Sequence, residues 1–119
     1  MIMSTREFNT VEERLDFLEF RQELLFRNDD VSRLLFEHEI TQVEENLLMD
    51  LMECYRTKIS NGEHVIGGSF ESDVYNIIPS KDGDYHFCES ITRYFMQERR
   101  WEEVFDTLYG HLPKYSNRL

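Results

Sequence analysis

Cysteine is scarce in this 119-residue chain, with Cys54 and Cys88 alone. Two thiols do not make a disulfide framework, so reduced cysteines on helices in a reducing cytoplasm are expected. No apolar run approaches the roughly 20 residues that cross a bilayer. The N-terminus carries no signal-peptide h-region, so no membrane partner is expected. Basic residues are also short: 13 Lys and Arg stand against 24 Asp and Glu, a net charge of -11. Nucleic acid needs clustered cations to displace its counterions, so direct binding to it is excluded as the main role. Internal repeats, low-complexity tracts and Gly/Ser linkers are missing, which leaves residues 1–119 as a single helical domain. A chain this short buries only about two thirds of its unfolded surface, so self-association would contribute materially to its stability.

Signatures of chemistry are lacking too. His38 sits within Glu37-His38-Glu39 and His86 lies two residues before Cys88. Neither supplies an i, i+4 ligand pair or a CxxC pair, and no metal is expected. Asp82-Gly83-Asp84 resembles a fragment of a calcium loop without its ligand series or closing Glu, and reads as a turn and cap. No Gly-x-Ser-x-Gly elbow exists, and neither cysteine has an adjacent base in sequence. Glu44 and Glu45, or Glu102 and Glu103, could in principle do acid/base work, but adjacent residues diverge on a helix and solvated faces are far commoner. Gly67-Gly68-Ser69 lacks the following Lys of a phosphate loop and suits a cap. No catalytic residue and no cofactor is expected, and the chain reads as a non-enzyme.

What is abundant is helical patterning. Thr10 to Asn28 is apolar on two opposite faces. Phe8, Val11, Leu15, Leu18, Gln22 and Leu25 follow the three-and-four spacing of a coiled-coil seam, while Phe17, Phe20 and Leu24 lie on the other side. Later helices offer apolar surface to cover Phe17, Phe20 and Leu24. The seam is then the face to be shared between chains, with polar Gln22 at an a position setting register or strand number. Two starts suit this helix, because Ser4-Thr-Arg-Glu7 and Thr10-Val-Glu-Glu13 both fit a capping box; a helical Phe8 requires the earlier one.

Asn28-Asp29-Asp30 ends that helix and caps a second over Val31 to His38, with Val31, Leu34 and Leu35 facing one way. Thr41-Gln-Val-Glu44 opens a third, whose Val43, Leu47, Leu48, Leu51, Met52, Tyr55 and Ile59 run at helical spacing to Asn61-Gly62. Glu63-His-Val-Ile66 is β-prone but too short for a sheet. A helix from Phe70 to Ile78 is stopped by Pro79, the polar loop Ser80–Asp84 caps the next from Tyr85 to Glu98, and Gln97–Arg100 turns the chain. The last helix carries Trp101, Val104, Phe105, Leu108 and Leu112 and is ended by Pro113. The expected architecture is all-α, a bundle of five to six helices, with residues 1–28 for oligomerisation, 29–112 as the bundle and 113–119 as a tail.

Two further surfaces are candidates for a protein partner. Leu34 to Tyr55 contains no Lys or Arg but holds Glu37, Glu39, Glu44, Glu45, Asp50 and Glu53, an acidic face that would dock a basic protein or mimic nucleic acid as an inhibitor or immunity-type protein does. Trp101, behind Arg99 and Arg100, is the ring most suited to anchor a partner. The order of features also resembles the YhaI-like family of small Bacillus-type proteins, from about Val11 to Leu112. The carriers are Val11-Glu-Glu-Arg-Leu-Asp-Phe-Leu18, Leu34-Leu35 with Ile40-Thr-Gln-Val-Glu-Glu45, Cys88-Glu-Ser-Ile-Thr-Arg-Tyr-Phe95 and Trp101-Glu-Glu-Val-Phe105. The chain departs from that pattern at Glu98-Arg-Arg100, where a glycine-containing turn is expected. The resemblance implies an all-α fold whose first helix forms a parallel coiled coil, a trimer being the number it suggests, and it implies no activity.

Overall fold

The computed structural model describes residues 6–115, and every regular element among them is helical. Six α-helices follow in order: α1 Val11–Arg27, α2 Asp30–Glu37, α3 Gln42–Ser60, α4 Gly67–Ile77, α5 Tyr85–Gln97 and α6 Glu102–Leu108. Short 3-10 turns cover Pro79–Lys81 and Pro113–Tyr115. The chain divides into two compact units, Met1–Glu45 and Asn46–Leu119, with the division inside α3. None of the described helices is long and apolar enough to cross a membrane.

In the first unit, α1 starts at the later of its two candidate boxes. Thr10 Oγ1 accepts the Glu13 amide at 3.1 Å, and the Glu13 carboxylate accepts the Asn9 amide at 3.2 Å. Phe8 therefore precedes the helix, which corrects its placement in the seam; Ser4 lies outside the described residues. Asn28 closes α1 with φ 51°, a left-handed conformation that asparagine tolerates. Asp29 at once caps α2, accepting the Ser32 amide at 2.7 Å. The two helices form a hairpin in which Val31, Leu34 and Leu35 are buried. Arg21 reaches from α1 to α2, its guanidinium 3.7 Å from the Phe36 ring centre and its Nη1 donating to the Phe36 carbonyl at 2.9 Å. The amides of Glu39 and Ile40 then fold back to Phe36 and Leu35, with Glu39 in the left-handed region at φ 55°.

The second unit takes its core from all four of its helices. Leu48, Met52 and Tyr55 of α3 meet solvent hardly at all, as do Phe70, Val74 and Ile78, then Phe87, Cys88, Ile91 and Phe95, then Val104, Phe105 and Leu108. The buried face of α3 is narrower than its seven-residue pattern predicts: Leu47 is exposed, and Leu51 and Ile59 are half-buried. Gly62, at φ 78°, ends α3 as its amide and that of Glu63 turn back to Ile59 and Lys58 at 3.0 Å each.

α4 begins at Gly67 rather than Phe70, so the two glycines occupy its first turn instead of a preceding loop. Asp84 caps α5 as expected, accepting the Phe87 amide at 3.1 Å. α6 stops at Leu108, short of Leu112. The Tyr109 and Gly110 amides both reach the Phe105 carbonyl, and Gly110 lies so near Asp106 that a Cβ there would sit 2.8 Å from its carbonyl oxygen. The helix thus ends before Pro113, which instead opens a 3-10 turn.

Candidate functional site

α1 presents one apolar face inward and another to solvent. Phe17, Phe20 and Leu24 are buried, whereas Val11, Leu15, Leu18 and Leu25 are 69, 52, 49 and 58% exposed. Gln22 is exposed between them. Phe8 leaves this row because it is off the helix and half-buried, its ring 5.1 Å from that of Phe17. Phe26 joins it at 91% exposed. Its position one helical turn after Gln22 is the sequence signal that would have found it. Glu12 and Glu19 flank the row on one side and Arg14 on the other.

The acidic interval does not form one solvated face. Glu44 and Glu45 are 9% and 6% exposed. Glu44 takes the Thr41 amide at 3.0 Å and the Arg6 guanidinium at 3.1 Å, so it completes the cap of α3 and holds an ion pair. Glu45 lies 3.0 Å from Arg27, which also pairs with Glu23 at 3.3 Å. Burial lowers the Arg27 pKa, but these two carboxylates outweigh it and hold it above its ordinary value. Glu37, Asp50 and Glu53 are exposed and Glu39 is half-buried. The physical reason for the correction is that a capping box draws its acid back onto the helix start, where arginines from α1 and the preceding segment can neutralise it.

Trp101 is also committed within the chain. It is half-buried with φ 50°, its ring stands edge-on to Phe95 at 4.9 Å, and its indole N–H donates to Glu53 at 2.7 Å. Arg56 joins Glu53 and Glu103 at 3.0 and 2.6 Å, closing this small network. Trp101, the ring expected as a partner anchor, thus also braces the second unit from within.

The second unit holds a cleft of about 580 Å3 lined by His64, Ile66, Glu71, Tyr85, Glu89, Tyr109 and Lys114 among others. Glu89 is buried, accepts the Tyr115 hydroxyl and lies 2.7 Å from the Lys114 ammonium. Burial raises its pKa, yet these two partners outweigh burial and bring it below the usual carboxylate value. The Tyr109 hydroxyl donates to Glu71 at 2.7 Å, and burial together with that bond raises its pKa. Cys88 is fully buried, and burial pushes its thiol up to about 12. Cys54 is exposed. Among the described residues, no group of three His, Cys, Asp or Glu is placed to hold a metal ion. The chain matches no protein-family model, no curated protein and no solved structure.

Proposed function

We propose that this protein is a non-enzymatic binding or regulatory module that works in the cytoplasm as a homo-oligomer joined through α1. The observation that carries the reading is the row Val11, Leu15, Leu18, Leu25 and Phe26, each about half exposed or more on a helix whose other face is already buried. Full burial of one such side chain is worth roughly 1.5–3 kcal/mol, so covering the exposed half contributes about 1 kcal/mol per residue and about 5 kcal/mol per chain. Association costs on the order of 4–15 kcal/mol, so two or three such contributions support a reversible assembly of modest affinity.

The flanking charges favour parallel chains. Arg14 occupies a g position and Glu19 the following e position, so a parallel neighbour sets opposite charges together while an antiparallel one sets like beside like. This orientation, and three chains as the number, also accord with the YhaI-like resemblance, and membership of that family is part of the proposal. Multi-angle light scattering on wild type and Leu18→Glu tests it. An oligomeric mass for wild type and a monomer for the variant are expected; a monomer in both overturns the reading.

A further inference from the structure

Beside the row just described, and not sharing its Val11, Leu15, Leu18 or Leu25, the first unit contains a cleft of about 870 Å3. Its floor and walls are Phe8, Phe17 and Phe20 of the α1 region and Val43 at the start of α3, with Glu13, Asp16, Glu19 and Glu23 along its rim and no Lys or Arg in its lining. Phe8 is there because α1 starts late and the preceding chain folds down onto Phe17. Two of the four acids are already satisfied: Glu13 by the Asn9 amide and Glu23 by Arg27. Asp16 and Glu19 are exposed and make no ion pair among the described residues.

We propose that this cleft docks a basic amphipathic helix of a partner protein. Apolar side chains of the partner pack on exposed Val43 and half-buried Phe8, above the buried Phe17 and Phe20, and its Lys or Arg side chains meet Asp16 and Glu19. Three features select that occupant. Val43 is 67% exposed at the mouth, so apolar surface there gains by being covered. The rim carries uncompensated charge of one sign, which selects cations beside the apolar side chains. A helix satisfies its own backbone and asks no strand edge of the cleft, and none exists among the described residues. Glu13 to Glu23 spans about 15 Å of α1, room for about ten residues of a helix lying alongside.

The test is fluorescence anisotropy on the full chain with a labelled Leu/Lys peptide carrying Leu at i, i+3, i+4 and i+7. A scrambled peptide of identical composition serves beside it, at about 0.15 M salt. The patterned peptide should bind well above the scrambled one. Asp16→Lys with Glu19→Lys should weaken it on the order of tenfold, whereas Asp50→Lys with Glu63→Lys, of equal net charge, should change it by less than about twofold. Val43→Gln should cost about threefold. If the first double variant is poorly folded by circular dichroism, Asp16→Asn with Glu19→Gln replaces it, and a flatter salt dependence of binding is the expected result. Equal binding of the scrambled peptide, equal losses in the two double variants, or no binding by wild type overturns the proposal. Glu19 also flanks the α1 row, so Asp16→Lys alone is compared with Asp50→Lys alone: loss of peptide binding in the first only, with the oligomeric mass unchanged, is expected, and equal losses overturn this surface without touching the α1 row.

Discussion

Replacing Glu45 by Gln, Ala and Lys distinguishes a buried acid from a solvated one. Its side chain is 8% exposed and 3.0 Å from Arg27, whose own side chain is 35% exposed. Removing a hydrogen bond to a charged group costs about 1.5–3 kcal/mol, and breaking a fully buried ion pair about 3–5 kcal/mol. The larger figure is an upper bound here, because Arg27 keeps solvent and Glu23. Glu45→Gln and Glu45→Ala should therefore cost about 1–3 kcal/mol. Glu45→Lys sets an ammonium beside a guanidinium with little water between and should cost about 3 kcal/mol or more. At about 4 °C per kcal/mol for a domain of this size, the losses are readable in thermal unfolding followed by far-UV circular dichroism. The cycle with Arg27→Ala should return a coupling of about 1–2 kcal/mol, and exposed Asp50→Lys should stay within about 0.5 kcal/mol of wild type. If Glu45→Lys melts with wild type, Glu45 is a solvated acid and the burial argument is wrong.

In urea unfolding, Leu48→Ala should cost about 2–5 kcal/mol and half-buried Leu51→Ala clearly less; equal losses would contradict the narrow inward face of α3. Arg99 sits at φ 62° where α5 ends, a conformation that strains a side chain by about 1–2 kcal/mol; Arg99→Gly should raise stability by about 0.5–1 kcal/mol after glycine's own entropy cost, and a lower melting point would refute this. Gln22→Leu should raise the melting temperature and broaden the mass distribution, so an unchanged melt with one unchanged mass counts against the shared α1 face. Stability should also depend on pH at both ends. The Cys88 thiol is raised from 9.0 to about 12, so its contribution is full below pH 9 and is lost as pH climbs toward 12; Glu89 is lowered from 4.5, so its contribution is full above pH 4.5 and is lost in acid. Cys88→Ala should lower the plateau but flatten the alkaline limb, and an equally steep limb would show that the thiol does not titrate there.

Much of the secondary structure was legible because its signals are local. The caps at Thr10, Asp29, Thr41 and Asp84 each use a side chain three residues from the amide it satisfies, and each forms where the pattern placed it. Errors at helix ends arose where two local signals compete. α6 was expected to run to Leu112, but it ends at Leu108, where the Tyr109 and Gly110 amides close on the Phe105 carbonyl. Periodicity put Phe8 in line with Val11, yet the Thr10 box begins the helix after it. Charge runs misled most of all: Glu44 and Glu45 read as solvent-facing acids until Arg6 and Arg27 are placed beside them.

The sequence by itself determined an all-helical chain and a first helix with two apolar faces, since both follow from spacing along one helix. Tertiary structure decided which face of α1 is covered, which acids are neutralised and which rings are spent inside the fold. Those outcomes depend on residues tens of positions apart meeting in space, as Glu53 meets Trp101 and Glu71 meets Tyr109. Burial and pairing are properties of the packed whole, and local pattern carries no record of them.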